Sequence, residues 1–268
     1  ATDSGGAQFV REITLEVADV NEGPVALSLD QTTLAENVVG GVVGTVSVTD
    51  PDAGDSHVLT LSDDRFEVVG SELRLRPGVS LDFETAEAIT LEITATDSGG
   101  AQFVREITLD VTDVNEGPVA LTLDQTTLAE NIAGGVVGTV SVTDPDAGDS
   151  HVITVSDDRF EVIGSELRLR PGISLDFETA EAITLEITAT DSGGAQITRT
   201  VEIPVADVNE GPVALTLDQT TLAENVAGGV AGTLSVTDPD AGDSHVITLS
   251  DDRFEVVGSE LRLRPGVS

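Results

Sequence analysis

The chain has 268 residues, with 12 Lys+Arg against 49 Asp+Glu and a formal net charge of −37; every basic residue is Arg. So acidic a chain lacks the cations that neutralise phosphate, which argues against nucleic acid and against anionic membrane surfaces as partners. No run approaches the ~18 apolar residues of a membrane span, and a hydrophobic share of 39% is enough for small cores, so the acidity does not signal disorder.

An internal repeat organises the rest. Asp19-Val20-Asn21-Glu22-Gly23-Pro24 returns at Asp113 to Pro118 and at Asp207 to Pro212, each time 94 residues further on. Residues 1–24 read as the C-terminal part of one repeat, 25–118 and 119–212 as complete repeats, and 213–268 as the N-terminal part of another. The sequence therefore reads as a window on a longer fibre.

Within the repeat 25–118, the segments 42–48 and 58–61 are short apolar strands. Residues 66–73 form a hairpin turning at Gly70-Ser71, and 71–76 alternates apolar and polar residues. Residues 84–88 make a turn or a brief helix. The segments 90–95 and 107–111 alternate with period two, as half-buried strands do. Nothing sustains a 3.6-residue apolar period. The expectation is an all-β fold of tandem Greek-key β-sandwiches, immunoglobulin-like in architecture. Pro204 stands where the preceding repeat has Asp110, which predicts an outward position without a ladder hydrogen bond.

The acids fall at the predicted strand ends. In the repeat 25–118 they are Glu36 in Leu-Ala-Glu-Asn, Asp50 and Asp52 in Thr-Asp-Pro-Asp, and Asp82 and Glu84 in Leu-Asp-Phe-Glu. Asp97 follows in Thr-Asp-Ser-Gly-Gly, and Asp113, Asn115 and Glu116 lie ahead of Pro118. In kind and order these runs resemble the landmarks of the cadherin family: an early Glu, a D-x-D pair, an L-D-x-E run, a D-x-G turn and a D-x-N-D-N-P linker. They are most similar to the bacterial cadherin-like repeats of large secreted adhesins. The resemblance implies tandem repeats joined end to end in a rod, outside the cell, with Ca²⁺ bound between neighbours.

It also implies the ligands. One junction would use Glu36, Asp82, Glu84, Asp113, Asn115 and Glu116 with Asp144, Asp146 and Asp191. The next would use Glu130, Asp176, Glu178, Asp207, Asn209 and Glu210 with Asp238 and Asp240; the first would use Asp19, Asn21 and Glu22 with Asp50, Asp52 and Asp97. Glu224 would serve a junction further on. Two departures stand out in the linker: its second acid is Glu116 rather than Asp, and Gly117 replaces the following Asn, whose contribution is a backbone carbonyl. Up to three ions per junction are expected. The chemistry agrees without the family, because Ca²⁺ takes about 6–8 oxygens, while carboxylates crowded round a short linker repel one another without a cation. Mg²⁺, bound to a tight octahedron and its own waters, fits poorly.

Plainer readings cover the remaining residues. Asp30, Asp55, Asp63 and Glu67 read as solvated surface, with Asp55 near enough in sequence to Asp52 to touch a junction. His57, His151 and His245 read as exposed polar residues at a strand start, and the adjacent Ser-His pair points to opposite faces, not to a nucleophile. Arg74 and Arg76 read as outward charge balance or as lateral contacts with a neighbouring fibre. With no Trp or Tyr there is no usual aromatic platform for sugars. The expectation is no enzyme but a Ca²⁺-stiffened stalk or filament whose partners are neighbouring repeats and identical chains. The alternatives are a Ca²⁺-dependent carbohydrate-binding or homophilic cell–cell adhesion module, and an acidity owed in part to high salt.

Overall fold

The computed structural model describes residues 1–268 and divides into two compact units, Ala1–Asn115 and Glu116–Ser268. No helix in it is long and apolar enough to cross a membrane, and all its regular elements are strands.

The first unit carries β1 (Ala26–Leu29), β2 (Thr33–Ala35), β3 (Val42–Thr49), β4 (Val58–Leu61), β5 (Phe66–Val69), β6 (Glu72–Leu75), β7 (Ala88–Thr96) and β8 (Gln102–Thr112). They form two four-stranded sheets, β1-β3-β6-β5 and β2-β8-β7-β4. Every pairing is antiparallel except β2 on β8. Strict alternation puts Ile89, Leu91, Ile93 and Ala95 of β7 on the inner face, opposite Leu27, Val43, Phe66, Leu73 and Leu75 of the other sheet. The 5–6 hairpin turns at Gly70 in the left-handed region (φ 66), and residues 83–85 form a turn with no helix.

Asp30 is exposed, as expected, and is also tied into this framework. Its Oδ1 accepts the Thr45 amide at 2.6 Å, beside the β-bulge between Val42 and Gly44. A Cβ on Gly44 would stand 2.4 Å from that same oxygen, so only glycine admits the contact. Arg74 lies directly across from Glu67 and donates to it at 3.0 Å, a cross-strand charge pair worth about 0.2–1 kcal/mol.

The second unit repeats the sandwich with β9 (Ala120–Leu123), β10 (Leu128–Ala129), β11 (Val136–Thr143), β12 (Val152–Val155), β13 (Phe160–Ile163), β14 (Glu166–Leu169), β15 (Ala182–Thr190) and β16 (Gln196–Ala206). It adds a lone sheet of β17 (Ala214–Leu217), β18 (Val230–Thr237), β20 (Glu260–Leu263) and β19 (Phe254–Val257). Pro204 does face outward, but its position is a hydrogen-bonding one. In the first unit the Asp110 amide donates to the Thr32 carbonyl at 2.8 Å. Proline has no N–H to offer, and β10 is two residues where β2 is three.

Residues 1–24 and 95–118 differ only at Glu16/Asp110 and Ala18/Thr112, yet β8 has no counterpart in the first copy. Ile107, Leu109 and Val111 are 8%, 0% and 4% exposed, whereas Ile13, Leu15 and Val17 are 74%, 84% and 94% exposed. In the complete copy β7 pairs with β8 along its length, and the inward side chains of β8 fill the core.

Candidate metal centre

In the complete repeats the acids singled out in the sequence sit in the loops between strands. Glu36 follows β2, Asp50 and Asp52 follow β3, Asp82 and Glu84 precede β7, Asp97 follows β7, and Asp113 follows β8. Glu36 is followed by Asn37 in the left-handed region (φ 59), as Glu130 is by Asn131 (φ 60); Asn tolerates that conformation better than other side chains.

In the first unit, one oxygen each from Glu36, Glu84 and Asp113 lies within 4.8 Å of the others. Glu36 is 1% exposed and is held from both sides: Oε2 accepts the Phe83 amide at 2.8 Å and Oε1 the Val114 amide at 2.9 Å. A second triplet, Asp19, Glu22 and Asp52, meets the same 4.8 Å limit. The Glu22 amide donates to Asp52 Oδ2 at 2.7 Å, and the Asn21 amide group donates to Asp97 Oδ2 at 2.9 Å.

The second unit repeats these contacts. Glu130, also 1% exposed, accepts the Phe177 and Val208 amides at 2.8 and 2.9 Å. The Glu116 amide reaches Asp146 Oδ2 at 2.7 Å, and the Glu210 amide reaches Asp240 Oδ2 at 2.6 Å. Asn131 donates to Glu210 Oε1, and Asn209 donates to the Glu210 carbonyl at 2.6 Å. Asp191 is buried and accepts the Ala195 amide at 2.8 Å. Glu178 and Asp207 share an open cleft of about 500 Å³ with Phe177, Thr179, Pro239 and Ala241.

Not every expected residue joins a cluster in the same way. Asp82 Oδ1 caps its own turn through the Thr85 amide at 2.9 Å, and both oxygens of Asp176 bond to Thr179. Glu224 is exposed; the amides that hold Glu36 lie 47 and 78 residues along the chain. The histidines depart from expectation. His57 and His151 are half-buried, and each binds the first Asp of its Asp-Pro-Asp turn. Asp55, assigned above to the surface, lies within 4.8 Å of Asp50 and His57, as Asp149 does of Asp144 and His151.

The electrostatics are those of carboxylates crowded against one another. The Asp207 carboxyl is pushed up by partial desolvation, then by the charges of Asp240 and Glu130. At Glu178 a hydrogen bond to its own backbone works downward, but desolvation and the charges of Glu130, Glu210 and Asp207 outweigh it and raise the group. Glu22 is raised by its shared hydrogen bond with Asp52, then by the Asp52 charge. Asp146 Oδ1, Glu210 Oε2 and Asp240 Oδ1 are buried carboxylate oxygens without a hydrogen-bond partner. Leaving such an atom unmet is costly, and oxygen-only carboxylate donors match a hard divalent cation. The donor set fits Ca²⁺.

The raised acids bind protons more readily folded than unfolded, so their contribution to stability grows as pH falls into the window above the ordinary carboxylate range and is lost as pH rises through it. Asp63, Asp157 and Asp251 run the other way: the Arg two residues on holds each down, Asp251 to about 2, and their contribution is lost on acidification below the ordinary Asp value. The metal-stripped chain is therefore expected to melt highest at mildly acidic pH, falling off on both sides. Thermal scans between pH 3 and 8 check this; a steady decline from pH 7 downward contradicts it.

No protein-family model matches the chain. Protocadherin alpha-2 of Homo sapiens and of Pan troglodytes each match at 28% identity over 280 residues, covering 93% of this chain and 30% of theirs. The chain thus spans about a third of the length of these relatives. Among solved structures, the protocadherin GammaB4 extracellular domain superposes with a TM-score of 0.70 at 22% identity, over 93% of this chain and 45% of that one. Mouse cadherin-23 EC22–24 gives 0.65 at 21%, over 88% and 85%. The fold is that of tandem cadherin-like repeats.

Proposed function

We propose that this chain is a stretch of an extracellular fibre or adhesin stalk, built of cadherin-like repeats at 25–118 and 119–212 with parts of two more, and stiffened by Ca²⁺ at each junction. The carrying observation is the set of buried, unmet carboxylate oxygens of Asp146, Glu210 and Asp240, gathered where linker amides already bind the Asp-Pro-Asp turns. A cation bound there shares ligands between a linker and the sandwich that follows it, which locks the hinge.

Glu36, Glu84, Asp113, Glu130, Glu178 and Asp207 supply the upstream ligands; Asp52, Asp146 and Asp240 supply the downstream ones. Kinship with bacterial repeats rests on the Leu-Asp-Phe-Glu, Thr-Asp-Ser-Gly-Gly and Asp-Val-Asn-Glu-Gly-Pro runs. The role is mechanical and adhesive, not catalytic. The likeness to extracellular cadherin domains favours homophilic contact between copies as the second reading. Small-angle scattering of the chain in Ca²⁺ and after chelation tests the proposal: an extended particle of fixed length is expected with Ca²⁺, and a shorter, broader distribution of distances without it. Identical profiles overturn the stiffening role.

A further inference from the structure

Each repeat holds one histidine, and all three are used alike. His57 Nε2 lies 2.9 Å from Asp50 Oδ2, His151 Nε2 2.7 Å from Asp144 Oδ2, and His245 Nε2 2.6 Å from Asp238 Oδ2. These Asp side chains are only 5% exposed. The opposite oxygen, Oδ1, accepts the amide of the second acid in the turn, at 2.9 Å from Asp52 and 3.1 Å from Asp146 and Asp240. That second acid in turn accepts the linker amide of Glu22, Glu116 or Glu210. A continuous relay runs from imidazole to first Asp to second Asp to linker.

A carboxylate offers only lone pairs, so in the neutral ring Nε2 must carry the proton and Nδ1 the lone pair. Each carboxylate oxygen keeps a second lone pair for a cation after accepting its hydrogen bond. A hard cation prefers oxygen, and the ring nitrogen facing the cluster is already a donor. Partners of this kind fix the orientation of ligating side chains, and their loss typically costs 10–100-fold in metal affinity.

We propose that His57, His151 and His245 are positioning residues of the junction cation sites: through Nε2–H they lock Asp50, Asp144 and Asp238, and with them the Asp52, Asp146 and Asp240 carboxylates that face the linker. This rests on the Ca²⁺ reading above.

The test uses the full chain, with His57, His151 and His245 changed together either to Gln, which keeps a donor, or to Phe, which keeps the ring shape alone. Calorimetric titration with CaCl₂ is expected to show an affinity about tenfold weaker for the Phe variant, with most of the loss recovered in the Gln variant. Long-range ¹⁵N–¹H spectra of the unaltered chain at pH 8 should show all three rings as the Nε2–H tautomer, a readout that does not depend on either variant folding. Equal losses in both variants, an unchanged Phe variant, or the Nδ1–H tautomer overturns the positioning role. So does Zn²⁺ binding that the Phe variant loses while its Ca²⁺ binding stays intact, which would make the ring a ligand. Absence of Ca²⁺ binding by the unaltered chain instead overturns the cation reading itself, and this inference with it.

Discussion

Adding 10 mM Ca²⁺ to the metal-stripped chain is expected to raise its thermal unfolding midpoint by roughly 10–20 °C. The size follows from mass action. Extracellular Ca²⁺ modules bind at about 10⁻⁴–10⁻³ M, so 10 mM is about 100 times the tighter dissociation constant and stabilises one site by about 2.7 kcal/mol. For a repeat of under 100 residues, 1 kcal/mol moves the midpoint by about 4–8 °C. The gain comes from relieving repulsion as well as from coordination, because Glu178 is raised partly by the charges of Glu130 and Asp207, and Asp207 partly by those of Asp240 and Glu130. The same concentration of Mg²⁺ should do much less. Equal midpoints with and without Ca²⁺ would show that the clusters hold no ion.

Glu130→Ala is expected to destabilise even the metal-stripped chain, by about 2–6 kcal/mol. Glu130 accepts two backbone amides, Phe177 from the loop before β15 and Val208 from the linker, in a site 1% exposed. Alanine takes the acceptor from both part-buried donors, and an amide left unmet costs about 1–3 kcal/mol. Glu130→Gln keeps one acceptor but turns an NH₂ against the second amide, so its loss falls between. Glu36→Ala should match it, since Glu36 holds the Phe83 and Val114 amides in the same way. Glu224→Ala is the internal control: the residue is exposed, and the change should stay within about 0.5 kcal/mol. Urea denaturation in the absence of divalent ions measures all of these. Similar small losses at Glu130 and Glu224 would mean that the early Glu is only a ligand and carries no part of the fold.

Much of this was legible in the residues, for physical reasons. Period-two alternation announced β7 and β8 because each buries one face against the opposite sheet. The acids could be placed at strand ends because breaks in alternation mark where strands stop. What escaped the pattern was pairing across a loop. Nothing in Asp-Pro-Asp-Ala-Gly-Asp-Ser-His says that the last residue folds back onto the first, since a seven-residue return depends on turn geometry and not on periodicity. Asp30 escaped likewise, because its partner amide at Thr45 is brought to it only by the bulge beside Gly44. Asp82 and Asp176 are expected as ligands; the capping of their own turns by the residue three further on was not legible, because it depends on local turn geometry. The cost of Pro204 became visible only beside the Asp110 amide that it replaces.

The near-identity of residues 8–18 and 102–112 has a consequence for assembly. A β8 segment presents the same inward Ile, Leu and Val as its copy, so the slot between β2 and β7 cannot tell its own strand from a stray one by side-chain chemistry. Chain connectivity alone enforces the correct match. Refolding such an array from denaturant thus sets neighbours competing for one another's edges, a recognised route to domain swapping in repeat proteins. Vectorial emergence, N-terminal repeat first, resolves the ambiguity by closing each sandwich before its rival is made.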